Sequence, residues 1–150
     1  MDGQQRFEQV CGWLEERQWR YHSDAEGQRV QLVADGMTVL IAVVEDGEFV
    51  RFVLPRLLDL DAESPHYEAA LELLLRFGWE YKWVRWICDP SDGEVRLQAD
   101  LPLEDSRLTR RQFWRTLQGT LQVARRGCER VRQVLATGEE TETSETQGGE

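Results

Sequence analysis

Two Asp-Gly pairs, Asp35-Gly36 and Asp46-Gly47, divide the stretch from Gln28 to Leu54 into three short runs rich in apolar and β-branched residues. A tight hairpin needs positive backbone φ at its centre, which glycine supplies without a side-chain clash and aspartate tolerates through local hydrogen bonding. The stretch is therefore expected to fold as an antiparallel meander of three strands. Met37 to Val44 is almost continuously apolar and suits the middle of a sheet. Val50, Phe52 and Leu54 alternate with Phe49, Arg51 and Val53, which gives the third strand one more accessible face.

The flanking segments change period. From about Asp2 to Gln18, Phe7, Val10, Cys11 and Leu14 recur at helical intervals, with Trp13 widening the stripe and Gly12 weakening it. Trp19 and Tyr21 lead into a polar loop from His22 to Gly27. Ser64-Pro65 predicts a second helix start, because the serine oxygen can cap and proline has the helical φ and no N–H to leave unpaired. Tyr67, Ala70, Leu71, Leu74, Leu75 and Phe77 give this helix a broad packing face, Gly78 is its expected C-cap and Trp79 is placed to seal the exit. Two further strands are expected at Tyr81 to Cys88 and Glu94 to Leu101. Thr109, with Gln112 at N3, predicts a capping box for a last helix whose internal stripe runs from Phe113 to Leu135, with Gly119 and Gly127 as weak points. The expected fold is a single α+β domain over residues 1–136, in the order α-β-β-β-α-β-β-α, with an antiparallel sheet packed against helices. Residues 137–150 carry five glutamates and no basic or large apolar residue, and are expected to form a disordered acidic tail.

Chemistry is sparse. His22 and His66 stand apart from any nucleophile with a positioned base, and no nucleophile elbow is present. Cys11, Cys88 and Cys128 are too scattered for a zinc site or a disulfide framework. The acidic clusters before and after the helices lack calcium-loop spacing, and the glycines sit in hairpins and do not form a phosphate-binding loop. No catalytic residue, metal or cofactor is assigned, and the chain is not expected to be an enzyme. A net charge of -10 argues against general binding to nucleic acid or anionic lipid. No run approaches the ~20 apolar residues that cross a bilayer, and the N-terminus lacks a signal peptide's apolar core, so a cytoplasmic protein that does not bind membranes is expected.

Asp92-Gly93-Glu94-Val95-Arg96, then Leu101-Pro102-Leu103-Glu104-Asp105 and Leu108-Thr109 with Gln112-Phe113, together with the element order over Asp2 to Ala136, resemble the YbjN and type III secretion chaperone-like family. The resemblance implies a compact α+β domain, homodimers, and protein-binding or chaperone-like roles. It supplies no catalytic residue.

The expected function is non-catalytic recognition or stabilisation of a polypeptide partner by a homodimer. The alternatives are a small regulatory adaptor, and a small-molecule-binding protein or enzyme with an unrecognised site. Two surfaces are candidates for the contact. If Val84, Trp86 and Cys88 face the helices, Tyr81, Trp83 and Ile87 lie on the opposite face of the sheet, where Phe49 and Val53 can join them as a protein-binding or dimer surface. The segment from Thr109 to Ala136 carries a net +6, and a helical projection gathers Arg111, Arg115, Arg125, Arg126 and Arg130 into an electropositive flank opposite its apolar stripe.

Overall fold

In the computed structural model, which describes residues 1–141, the chain runs α1 (Gly3–Glu16), β1 (His22–Asp24), β2 (Arg29–Ala34), β3 (Met37–Val44), β4 (Phe49–Asp59), α2 (Tyr67–Glu80), β5 (Arg85–Cys88), β6 (Glu94–Pro102) and α3 (Arg110–Thr137). The strands form one antiparallel sheet in the order β1-β2-β3-β4-β6-β5. Helix, three strands, helix, two strands, helix is the order read from the sequence. The short β1 adds an edge strand within the segment expected to be a polar loop, with His22 opposite Gln31 and Asp24 opposite Arg29.

The first Asp-Gly pair makes the expected tight turn, whereas the second lies in a longer connection, Glu45 to Glu48, that contains a short 3-10 turn. Asp35 and Gly36 take φ of 54° and 77°, and Ala34 faces Met37 across the hairpin. The second pair also docks α1. Gly47 has φ 93°, and a Cβ there would meet the Asp2 backbone at 3.1 Å. The Gly3 amide donates to Asp46 Oδ1 at 3.0 Å, and buried Arg6 donates from Nε to the Gly47 carbonyl at 3.1 Å. The start of α1 is closed by a capping box that Asp2 and Gln5 form.

All three helices cover one face of the sheet. Val30, Leu32, Ile41, Val43, Phe52, Leu54 and Leu97 pack there with Phe7, Val10 and Leu14 of α1 and Phe113, Leu117 and Leu121 of α3. A second cluster joins Leu58, Leu60 and Val95 to Ala70, Leu73 and Phe77 of α2 and Cys128, Val131 and Val134 of α3. Each such aliphatic or aromatic side chain contributes about 1.5–3 kcal/mol when fully buried. The 28-residue α3, capped by the expected Thr109–Gln112 box, spans both clusters.

The second helix departs from its expected ends. Its N-cap is His66, without a side-chain cap, and Ser64 and Pro65 form the turn before it. Gly78 lies inside the helix, which continues to Glu80. Because the helix overruns its expected glycine stop, Tyr81 remains against it, 5.2 Å from the Phe77 ring. Trp83 then takes φ 52°, and β5 begins only at Arg85. Leu75 and Trp79, expected to pack inward, are 79% and 93% exposed.

The last helix continues one residue beyond the expected domain boundary, to Thr137, and Gly138 ends it in the left-handed conformation. Glu140 then turns back to Arg130 and Arg76. The remainder of the expected acidic tail, from residue 142, lies outside the described residues.

Candidate protein-binding face

The strand alternation that sends Val50, Phe52 and Leu54 into the core sends Phe49, Arg51 and Val53 to the opposite face of β4. Register places their neighbours. Phe49 lies between Val44 and Pro102, Arg51 between Ala42 and Asp100, and Val53 between Leu40 and Gln98. Val53 is only 9% exposed, because side chains of both adjacent strands flank it. Ile87 shares this outer face and lies opposite Arg96 on β6. Phe49, Val53 and Ile87 therefore share a face in separate cross-strand rows.

Between the apolar rows sits a charged knot. Asp100 accepts from Arg51 Nε at 2.7 Å, from Arg85 at 3.0 Å and from Gln98 at 3.2 Å. Burial pushes its carboxyl up, but the hydrogen bonds from Arg51 and Gln98 and the nearby charges of Arg51 and Arg85 outweigh it, so its pKa lies below the usual value. The face is apolar at intervals and charged between.

Tyr81 and Trp83 belong to the other side of the sheet, a correction to their expected placement beside Phe49 and Val53. The Tyr81 hydroxyl accepts from Arg130 at 3.1 Å. The Trp83 ring lies over Gly119 of α3, where a Cβ would come within 2.8 Å of it. Trp86 lies over Gly127 in the same way, at 2.2 Å from such a Cβ, and packs 5.0 Å from Phe77. The two glycines read as weak points are thus where tryptophans approach the helix. Trp83 keeps half its surface exposed.

The expected electropositive flank is divided by local pairing. Arg125 pairs with Asp35 of the β2–β3 turn. Arg130 pairs with Glu80 at 2.6 Å and with Glu140, and its guanidinium lies 4.7 Å from the Phe77 ring centroid. Burial pulls the Arg130 pKa down, but its bonds to Glu80, Glu140 and Tyr81 outweigh burial and raise it. Arg111, Arg115 and Arg126 are exposed and form no ion pair among the described residues.

Desolvation raises the pKa of all three thiols, which disfavours the reactive thiolate. Among the described residues, no group of three or more His, Cys, Asp or Glu gathers to hold a metal ion, and no helix is long and apolar enough to cross a membrane. An open depression of about 450 Å³ lies between Trp19, Ala34, Leu121 and the Asp35–Arg125 pair.

A family model described as "YbjN: Putative bacterial sensory transduction regulator" matches residues 6–136, and the chain belongs to the YbjN family. Its fold is similar to that of YbjN from E. coli, with a TM-score of 0.62 and 15% identity over 84% of this chain and 91% of that one. It is similar to a chain of the HopA1-SchA chaperone-effector complex, with a TM-score of 0.61 and 13% identity over 84% and 95% of the two chains. It is also similar to a chain of the Yersinia pestis type III secretion chaperone SycH complex with a stable fragment of YscM2, with a TM-score of 0.54 and 13% identity over 83% and 98%. A search of curated proteins finds no sequence match.

Proposed function

We propose that this YbjN-family chain is a non-catalytic, chaperone-like protein that recognises or stabilises a polypeptide partner, with self-association as part of its assembly. The observation that carries the reading is the outer face of the sheet, which no helix of the described residues covers and which presents Phe49 and Ile87 around the Asp100 knot. An extended or amphipathic segment laid on that face would bury apolar side chains at the strand spacing and meet charges between them. The fold similarity to chains from a chaperone-effector complex and a secretion chaperone complex supports the same reading.

Capture from the native source under gentle salt, followed by intact-complex mass measurement and peptide identification, tests the proposal. The expected result is a polypeptide whose solubility falls when this chain is depleted and whose recovery is lost with Phe49→Asp and Ile87→Asp combined. Recovery of this chain alone under several salt conditions, or unchanged capture by the double variant, rejects it. A folded partner bridged to a third protein selects a regulatory adaptor instead. A tightly bound organic molecule selects the small-molecule alternative.

A further inference from the structure

Three separate pieces of the chain wall the depression beside Trp19. Gln18 takes φ 60° at the exit of α1, and the Trp19 amide donates to the Leu14 carbonyl at 3.0 Å, so the chain doubles back toward α3. There the Trp19 ring meets Trp114 edge-on, with centroids 5.2 Å apart. The second wall is the β2–β3 hairpin, where Ala34 faces Met37 and Asp35 holds φ 54°. α3 supplies the third with Gln118, Leu121, Gln122 and Arg125, whose three- and four-residue spacing puts them on one side of the helix. Trp19, Ala34 and Leu121 make part of the lining apolar, and the paired charges of Arg125 and Asp35 stand together at one edge.

We propose that this hollow binds a free α-amino acid with an apolar side chain, its carboxylate on Arg125 and its ammonium on Asp35. The inference goes beyond the polypeptide-binding reading and uses none of the residues that carry it.

Charge selects the ligand. An anion entering alone would take Arg125 but face the Asp35 carboxylate, and a cation alone would take Asp35 but face the guanidinium. A zwitterion whose two charged groups share one carbon replaces that ion pair with two, and neither protein charge is left opposed. The Arg125 and Asp35 side chains are each about half exposed, so exchanging their mutual contact for a ligand sacrifices little. With both charges engaged at one edge, the ligand's side chain has the Trp19, Ala34 and Leu121 lining within reach, where an aliphatic or aromatic group leaves water. The Gln118 and Gln122 amides, each donor and acceptor, remain along the α3 wall for the carboxylate and ammonium. A volume of about 450 Å³ is at the small end for ligand pockets and suits one such molecule. The open mouth and the hydrated charges set a modest affinity, so the ligand exchanges freely and is lost on purification.

Isothermal titration of the purified chain with L-phenylalanine is expected to show one-to-one binding with a Kd below about 1 mM. Two analogues dissect the charges. 3-Phenylpropanoate lacks the ammonium and 2-phenylethylamine lacks the carboxylate, and each should bind at least tenfold more weakly. The Trp19 indole N–H resonance, identified by its loss in Trp19→Phe, should shift as L-phenylalanine saturates the chain. Asp35→Asn keeps a residue that tolerates the turn; it should weaken L-phenylalanine at least tenfold and remove its advantage over 3-phenylpropanoate. Arg125→Gln should weaken both ligands. Since the pair is exposed, both variants should keep the wild-type circular dichroism and nearly the wild-type melting temperature. Absence of saturation by L-phenylalanine and by L-leucine up to about 10 mM would overturn the proposal. So would equal binding of either analogue, saturation that leaves the Trp19 resonance unmoved, or binding indifferent to Asp35→Asn and Arg125→Gln. The hollow lies on the helical side of the sheet, so Phe49→Asp with Ile87→Asp should leave amino-acid binding unchanged, and failure here would leave the polypeptide-binding reading intact.

Discussion

Gly12, Gly119 and Gly127 look alike in the sequence, since each interrupts a helical stripe and each invites replacement by a better helix former. Their surroundings separate them. A Cβ at Gly12 meets nothing within 4 Å, whereas one at Gly127 would stand 2.2 Å from the Trp86 ring and 3.2 Å from Phe77. Gly12→Ala should therefore raise stability by about 0.5–1 kcal/mol through helix propensity. Gly127→Ala should lower it by about 1–2 kcal/mol, because the overpacking outweighs that gain. Urea unfolding of the two variants checks both signs. The tryptophan contacts could not be read from the sequence because they join residues far apart in the chain. Asp100 offers a test by pH. Its folded pKa lies below the usual value, so its contribution is present above the unfolded carboxylate value of ~3.9 and is lost as pH falls through the lower folded value. Asp100→Asn should cost about 0.5–1 kcal/mol at pH 7, discounted for the exposure of Arg51 and Arg85. The gap from wild type should close as pH falls through that lower folded value, as denaturation at neutral and at acid pH would show.

Among the elements, most turns and caps set by local chemistry were legible, the Ser64-Pro65 helix start excepted, and those governed by docking were not. The Asp35-Gly36 hairpin and the Thr109–Gln112 box follow from turn and cap preferences and form as read. Asp2 with Gln5 carries the analogous capping pattern at the start of α1 and was open to the same reasoning. Thr109→Ala should cost about 1 kcal/mol, measurable as a lower denaturation midpoint with an unchanged slope. The α2–β5 passage misled because Gly78 is a good stop only if nothing rewards continuing. Continuing places Tyr81 on Phe77 and within reach of Arg130, a gain that periodicity does not reveal. The same overrun removes Tyr81 and Trp83 from the candidate face while leaving Phe49, Val53 and Ile87 on it. The bulge in β4 between Leu54 and Leu58, where the Arg56 amide donates to Glu94 at 2.7 Å, also escaped a reading that ended the strand at Leu54.

At the scale of the whole molecule, the two core clusters meet along α3, and this sets the order in which the chain is expected to open and close. The β2–β3–β4 meander joins residues close in sequence, whereas β4 and β6 are paired only after α2 and β5 have intervened, as with Phe49 opposite Pro102. Contacts distant in sequence carry the larger loop-closure cost. The meander, with α1, should therefore form the folding nucleus, and α2, β5, β6 and α3 should dock afterwards. Phe52→Leu is expected to slow refolding, while Phe77→Leu should mainly speed unfolding. Hydrogen exchange would see the same asymmetry in the native state. Amides of α2 and of the C-terminal turns of α3 should exchange through partial openings well below the global unfolding free energy, while those of β3 and β4 exchange only when the whole chain opens. A 28-residue helix that serves two cores thus becomes a boundary in time as well as in space, with one end held until the whole chain opens and the other still able to let go.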